Sequence, residues 1–154
     1  MTRSFGLDAI SALEALRTAV KCLKDDDLNA DLARECACKA WHLCDHAFKA
    51  LEPNSPFASL QKLQEHARGT CPALACLQDI CIESKHAEIK RYLPHIREAR
   101  YHSGDFCRED FSSEDFDTDR LEVELLDGRT VSFEDLVSQA VDFWSDFFEF
   151  HAVT

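Results

Sequence analysis

Glycine and proline are scarce, at four each in 154 residues. That shortage argues against an all-β sandwich, whose many tight turns consume both. It also argues against a glycine-rich loop that cradles phosphate. No Walker loop, dinucleotide fingerprint or G-x-S-x-G elbow occurs. No stretch approaches the roughly 18 apolar residues that a spanning helix needs. Near the N-terminus Asp8, Glu14 and Arg17 interrupt every apolar run, so no secretory signal is expected and the cytosol is the expected compartment. Positive charge is short too, with 17 Lys and Arg against 29 Asp and Glu and a formal net charge of -12. Direct nucleic-acid binding is therefore not expected, because phosphate affinity comes mainly from Lys and Arg.

Cysteine is plentiful, but its spacing lacks a metal-binding pattern. The eight positions are 22, 36, 38, 44, 71, 76, 81 and 107, with no C-x-x-C among them. A zinc ribbon or finger needs two close pairs. Cys71, Cys76 and Cys81 step by five, which on a helix turns each away from the last. In a reducing compartment such thiols serve as small apolar fillers. No cofactor is implied.

Apolar periodicity gives the fold class. Steps of three and four residues predict a helix over about 5–25 and a second over about 30–51, with Asn29 as its N-cap. A third is expected over about 56–68, capped by Ser55, started by Pro56 and stopped by Gly69. A fourth runs from Thr70 or Cys71 to about Tyr92, before Pro94. Residues 96–103 read as a strand and 105–119 as an acidic loop. Residues 121–133 read as a β-hairpin around a two-residue Asp127-Gly128 turn. An aromatic helix over about 134–150 closes the chain. The expected architecture is mainly α (α+β), a four-helix-type bundle with a small antiparallel β-hairpin or sheet and a C-terminal aromatic helix. One domain is expected over 1–154, the bundle occupying 1–95 and the acidic loop, hairpin and closing helix 96–154.

Charge is segregated along the chain. Residues 1–104 hold 14 acidic and 14 basic side chains; residues 105–154 hold 15 acidic side chains against Arg108, Arg120 and Arg129. The whole excess therefore lies in the last third. It can serve solubility alone. It can also form an acidic face that meets a basic protein or imitates a nucleic-acid backbone. On the second reading Asp110, Glu114, Asp115, Asp117 and Asp119 are the candidate partner-binding residues. Phe143, Phe147 and Phe150 share one side of the last helix, either as core or as a strip on which a homodimer could form.

Two clusters carry the residue types of metal chemistry. His42 and His46 are four apart, the helical spacing that lets two imidazoles share an ion. Glu83 and His86 form an E-x-x-H pair, the unit that carboxylate-bridged bundles use twice and this chain holds once. On helical wheels at about 100° per residue, both clusters fall away from the apolar stripes, where solvent is expected. Three readings stay open: solvated faces with i,i+4 charge pairing, a polar network in a groove, or a metal site made by His42, His46, Glu83 and His86. Trp41 and Asp45 lie at the stripe's edge, so a polar cluster of Trp41, Asp45, Asp79 and Lys85 is also expected.

The motifs W-H-x-x-D (Trp41, His42, Asp45), D-x-x-x-x-S-K-H (Asp79 to His86) and F-W-x-x-F-F (Phe143 to Phe148) resemble those of small bacterial and prophage helical proteins. Over about 30–95 the chain is also similar to the HEPN group, bundles common in defence and toxin–antitoxin systems. The resemblance implies either a partner-binding protein in phage–host conflict or a metal-independent ribonuclease. HEPN nucleases use an Arg-x(4–6)-His pair on a helix. Arg97 and His102 have that spacing, in a stretch that reads as extended. The expected function is a non-enzymatic interaction or regulatory protein that uses the acidic C-terminal face on a basic partner. The alternatives are the HEPN-type ribonuclease with Arg97 and His102, and a metal-dependent hydrolase built on the His and Glu cluster.

Overall fold

A computed structural model describes residues 8–26, 28–85, 96–102, 120–125 and 128–153, with side chains for all of these except 83–85, 96–102 and 120. The elements in chain order are α1 (Ala9–Asp25), α2 (Ala30–Leu51), α3 (Leu60–Thr70), α4 (Pro72–Lys85), β1 (Ile96–His102), β2 (Arg120–Leu125), β3 (Thr130–Ser132) and α5 (Phe133–Phe150). The class read from periodicity holds: a mainly helical protein with a small antiparallel sheet and an aromatic last helix.

Local chemistry sets most helix boundaries. The Asp8 carboxylate accepts the Ser11 amide at 2.7 Å and caps α1, while Asn29 accepts the Leu32 amide at 3.0 Å and caps α2. Glu134 and Asp135 lie in the first turn of α5, where the helix dipole favours negative charge. The third helix departs from expectation. It starts four residues late, with Ser59 as cap on the Lys62 amide (3.2 Å). Ser55 instead accepts the Phe57 amide at 3.1 Å, in a loop that follows a cis Glu52–Pro53 bond. The loop seats the Phe57 ring against His66 and Phe147, at centroid distances of 5.2 and 6.1 Å, and that packing overrides the local helix-start signal. Gly69 does not stop α3, which ends one residue later at Thr70.

The four longer helices form a ring. α1 packs on α2, α2 on α4, α4 on α5 and α5 on α1, while α3 leans on α2 and α4. One cluster of buried side chains runs through all five helices and reaches Val123 of β2. Trp144 lies at its centre, fully buried, its indole N–H donating to the Ala40 carbonyl at 3.0 Å. Phe143, Phe147 and Phe148 pack round it with ring centroids 4.9–5.8 Å away. Cys36, Cys44, Cys71, Cys76 and Cys81 are buried, the filler role expected of them, whereas Cys22 is exposed.

The sheet has the order β1-β2-β3, antiparallel throughout. Arg97 is the extra residue where the β1–β2 register shifts between Ile96 and Glu98. The hairpin turn is one residue longer than expected. The Leu125 amide bonds the Arg129 carbonyl (2.8 Å) and the Gly128 amide bonds the Leu125 carbonyl (3.0 Å), so three residues lie between Leu125 and Arg129. Gly128 takes φ +90°, a conformation that glycine adopts without steric cost.

Candidate functional site

α4 overturns the expectation of two solvated polar faces. From Ala73 to Cys81 every residue of α4 is buried, including Gln78 and Asp79, the latter 3% exposed. A helix enclosed by α2, α3 and α5 has no solvent face there, so a wheel built from its own sequence misplaces Asp79. His42 is half-buried, and its Nε2 lies 3.7 Å from Cys81 Sγ on α4. His42 thus faces the α2–α4 seam. Farther round α2, the Trp41 ring is covered by the Arg68 guanidinium, 5.8 Å from the ring centroid. Arg68 also donates to Gln78 Oε1 at 3.2 Å, which ties α3 to α4. Of the expected polar cluster of Trp41, Asp45, Asp79 and Lys85, Trp41 and Asp79 are buried. Asp45 is exposed, and the side chain of Lys85 lies outside the described residues.

Among the described residues no three His, Cys, Asp or Glu side chains converge on a point that could hold a metal ion. His46 is half-buried on the turn after His42. Of the other candidate ligands, the Glu83 side chain and all of His86 lie outside the described residues. The buried thiols are held protonated. Burial pushes Cys36 up to about 12, with Glu35 adding to it, and Cys76 up to about 11, with Asp79 adding to it. Burial raises Cys44 and Cys71 in the same direction. A thiol kept neutral is a poor nucleophile.

Arg97 and His102 both lie on β1, as their extended sequence suggests. At about 3.3 Å rise per residue, five steps of strand separate their Cα atoms by about 16 Å, against about 7.5 Å on a helix. The expected acidic loop, with Asp110, Glu114, Asp115, Asp117 and Asp119, lies outside the described residues.

The carboxylates that the structure does organise are on α5. Asp135, Asp142, Asp146 and Glu149 are all exposed. Their steps of seven, four and three residues bring them within about 60° of one another round the helix, along about 21 Å of its length. The buried stripe of Leu136, Val137, Ala140, Trp144 and Phe148 lies opposite. Ion pairs within α1, α2 and α3 do not involve this row. The row ends at Phe150, which is 83% exposed. Of the two readings of Phe143, Phe147 and Phe150, core or exposed strip, the structure favours core for the first two. Phe147 is core and Phe143 is half-buried against it, so only Phe150 faces solvent.

A cleft of about 500 Å³ opens beside this end of α5. Asp8, Leu51, Asn54, Pro56, His151 and Val153 lie round it, so the start of α1 and the ends of α2 and α5 meet there. The α5 terminus is closed by the bonds Ala152 N–H to Glu149 carbonyl (3.1 Å) and Val153 N–H to Phe148 carbonyl (2.9 Å). Ala152 takes φ +52° to make them, where glycine is usual. The His151 ring lies tilted against Phe147 with centroids 4.4 Å apart, and burial, with His66 next, lowers its pKa. The Ser11 amide, then the Ser11 hydroxyl, holds Asp8 below the usual carboxylate range. No family model, curated protein or solved structure matches the chain.

Proposed function

We propose that the chain is a non-enzymatic interaction protein that presents the acidic row of α5 to a basic protein partner. The observation that carries this reading is the row itself: four exposed carboxylates on one line of a helix whose opposite side is anchored in the aromatic core. Exposed ion pairs contribute about 0.2–1 kcal/mol each, so four give roughly 1–4 kcal/mol. Covering the Phe150 ring contributes about 1.5–3 kcal/mol. The aromatic ring therefore supplies affinity comparable to the whole row. The carboxylates supply partner choice, orientation and a faster encounter. A partner surface of lysines and arginines around an apolar notch complements both.

The test is calorimetric titration with a capped, lysine-rich peptide of defined sequence, at low and at moderate salt. Affinity is expected to fall with salt. It is expected to fall further in a variant carrying D135N, D142N, D146N and E149Q, and to weaken in F150A at every salt concentration. Equal affinity of the neutralised variant and the natural chain overturns the reading.

A further inference from the structure

We propose that the rings of His66, Phe57, Phe147 and His151 form an acid-labile clasp: with His151 neutral they hold the loop before α3 on the end of α5, and protonation of His151 lets that loop go. The clasp is independent of the acidic row.

Geometry carries the proposal. Phe57 lies in the loop between α2 and α3 and meets three rings at once. Its centroid is 5.2 Å from His66 of α3, 6.1 Å from Phe147 and 6.2 Å from His151. The His151 ring lies in turn 4.4 Å from Phe147. Two titratable rings on different elements therefore bear on one phenylalanine. The Phe57 amide is spent inside the loop, on Ser55 Oγ at 3.1 Å, so the ring makes the reach to α5. The backbone of His151 is fixed, its N–H donating to the Phe147 carbonyl at 3.0 Å, which keeps the imidazole on the cluster.

The surroundings disfavour a cation at His151. Burial first, then the charge of His66, lowers its pKa. Together they outweigh the α5 dipole, which favours positive charge at this end. The charged groups of the neighbouring elements are placed elsewhere. On α3, Lys62 lies one turn before His66 and pairs with Glu65 at 3.5 Å. At the end of α2, Lys49 and Glu52 are exposed, and loop residues 53–59 carry no charge. At the start of α1, Asp8 shares the cleft wall with His151, but its Oδ1 accepts the Ser11 amide at 2.7 Å. His46 of α2 acts on Asp8. On α5 itself, Asp146 and Glu149 lie about 140° and 160° round the helix from His151.

The sign follows from linkage. An unperturbed histidine titrates near pH 6.5, and folded His151 titrates lower. The released state therefore binds more protons. The clasp is at full strength above about pH 6.5 and weakens as pH falls through the lower folded value. Carboxylates ordinarily titrate below about pH 4.5, so the window from pH 7.5 to 5 belongs to the imidazoles.

NMR of the full chain across that window tests the clasp, through the imidazole signals and the ring-to-ring NOEs between Phe57 and Phe147. His151 is expected to titrate below pH 6.5, and the NOEs are expected to fade with the same midpoint. His66→Gln is expected to raise both midpoints by about 0.2–0.7 of a pH unit, the size of one exposed charge pair. His151→Phe keeps a ring that cannot titrate, and its NOEs are expected to persist at pH 5. If H151F does not fold, H66Q alone decides. NOEs that survive protonation of His151, that fade in H151F as in the natural chain, or that keep their midpoint in H66Q overturn the clasp. So does a His151 that titrates at or above pH 6.5, because the rings would then stabilise the cation.

Discussion

α4 and α5 are neighbours in the same core, yet they solve opposite problems. α5 divides itself lengthwise, with Trp144, Phe147 and Phe148 inward and four carboxylates outward. α4 has no outward side between Ala73 and Cys81. Its polar residues, Gln78 and Asp79, are enclosed with the rest. The difference shows where surface chemistry can be written in this protein. A side chain on the outer face of α5 can change without disturbing the core, whereas any change between Ala73 and Cys81 on α4 is a change inside it.

The sharpest way to break that contrast is to remove one buried side chain from each helix. Trp144→Ala is expected to cost about 3–5 kcal/mol, because it empties a large volume and leaves the Ala40 carbonyl without its indole donor. Leu77→Ala, fully buried on α4, is expected to cost about 2–5 kcal/mol. Urea unfolding measures both. A cost under about 1 kcal/mol for Leu77→Ala would mean that α4 is not enclosed.

The buried thiols sharpen the same point through pH. In the unfolded chain a cysteine ionises near pH 8.5. In the folded protein Cys76 stays protonated to about 11 and Cys36 to about 12. Between those limits the unfolded state binds fewer protons, so stability is full below about pH 8.5 and falls as pH rises toward 11. Thermal melts from pH 8 to 10.5 are expected to show the loss, and Cys76→Ala is expected to flatten it. The exposed Cys22 is expected to react with a thiol reagent in the native state before Cys36, Cys44 and Cys76 do.

Legibility followed the same divide. The ends of α2 and the course of α5 were readable because a cap residue and a clean three-four periodicity coincide there. The hairpin was readable from its alternating runs, but its loop length depended on a Gly128 conformation that composition alone does not specify. The start of α3 was obscured by Phe57, whose place is set by residues about ninety positions away. α4 was the largest miss. A helix surrounded on every side has no stripe from which to judge its faces, so its sequence alone puts Asp79 on the surface. His42 was placed on the wrong side for a related reason, since its neighbour Cys81 belongs to another helix. Arg68 and Gln78 carry no local signal at all, because their contact joins two helices. The α5 row was missed, since the sequence reading placed the acidic face on residues 110–119; the signal that could have found it is the helical spacing of Asp135, Asp142, Asp146 and Glu149.

Two single-residue exchanges probe backbone rather than burial. Gly69 lies within α3, and a Cβ there would meet nothing within 4 Å. Gly69→Ala is therefore expected to stabilise by roughly 0.5–1 kcal/mol. Ala152 shows the reverse mismatch at φ +52°, where glycine carries no Cβ penalty. Ala152→Gly is expected to stabilise by about 0.5 kcal/mol, after the extra freedom of the unfolded chain is subtracted. Melting temperatures of the two variants and their combination check the signs. The two exchanges act at the ends of different helices, so the effects should add.

The smallest effect belongs to the carboxylate row, and its sign is informative. Asp142 and Asp146 are four residues apart on one exposed face, a like-charge spacing that destabilises a helix by about 0.2–0.5 kcal/mol. Asp142→Asn is expected to relieve that repulsion and raise stability by a few tenths of a kcal/mol at low salt. Added salt should erase the gain by screening. The same substitution is expected to weaken capture of a lysine-rich peptide. A variant that gains stability while losing binding separates a surface kept for recognition from one kept for folding. If Asp142→Asn instead lowers stability at low salt, the carboxylate is serving the fold, and α5 resembles α4 more than its exposure suggests.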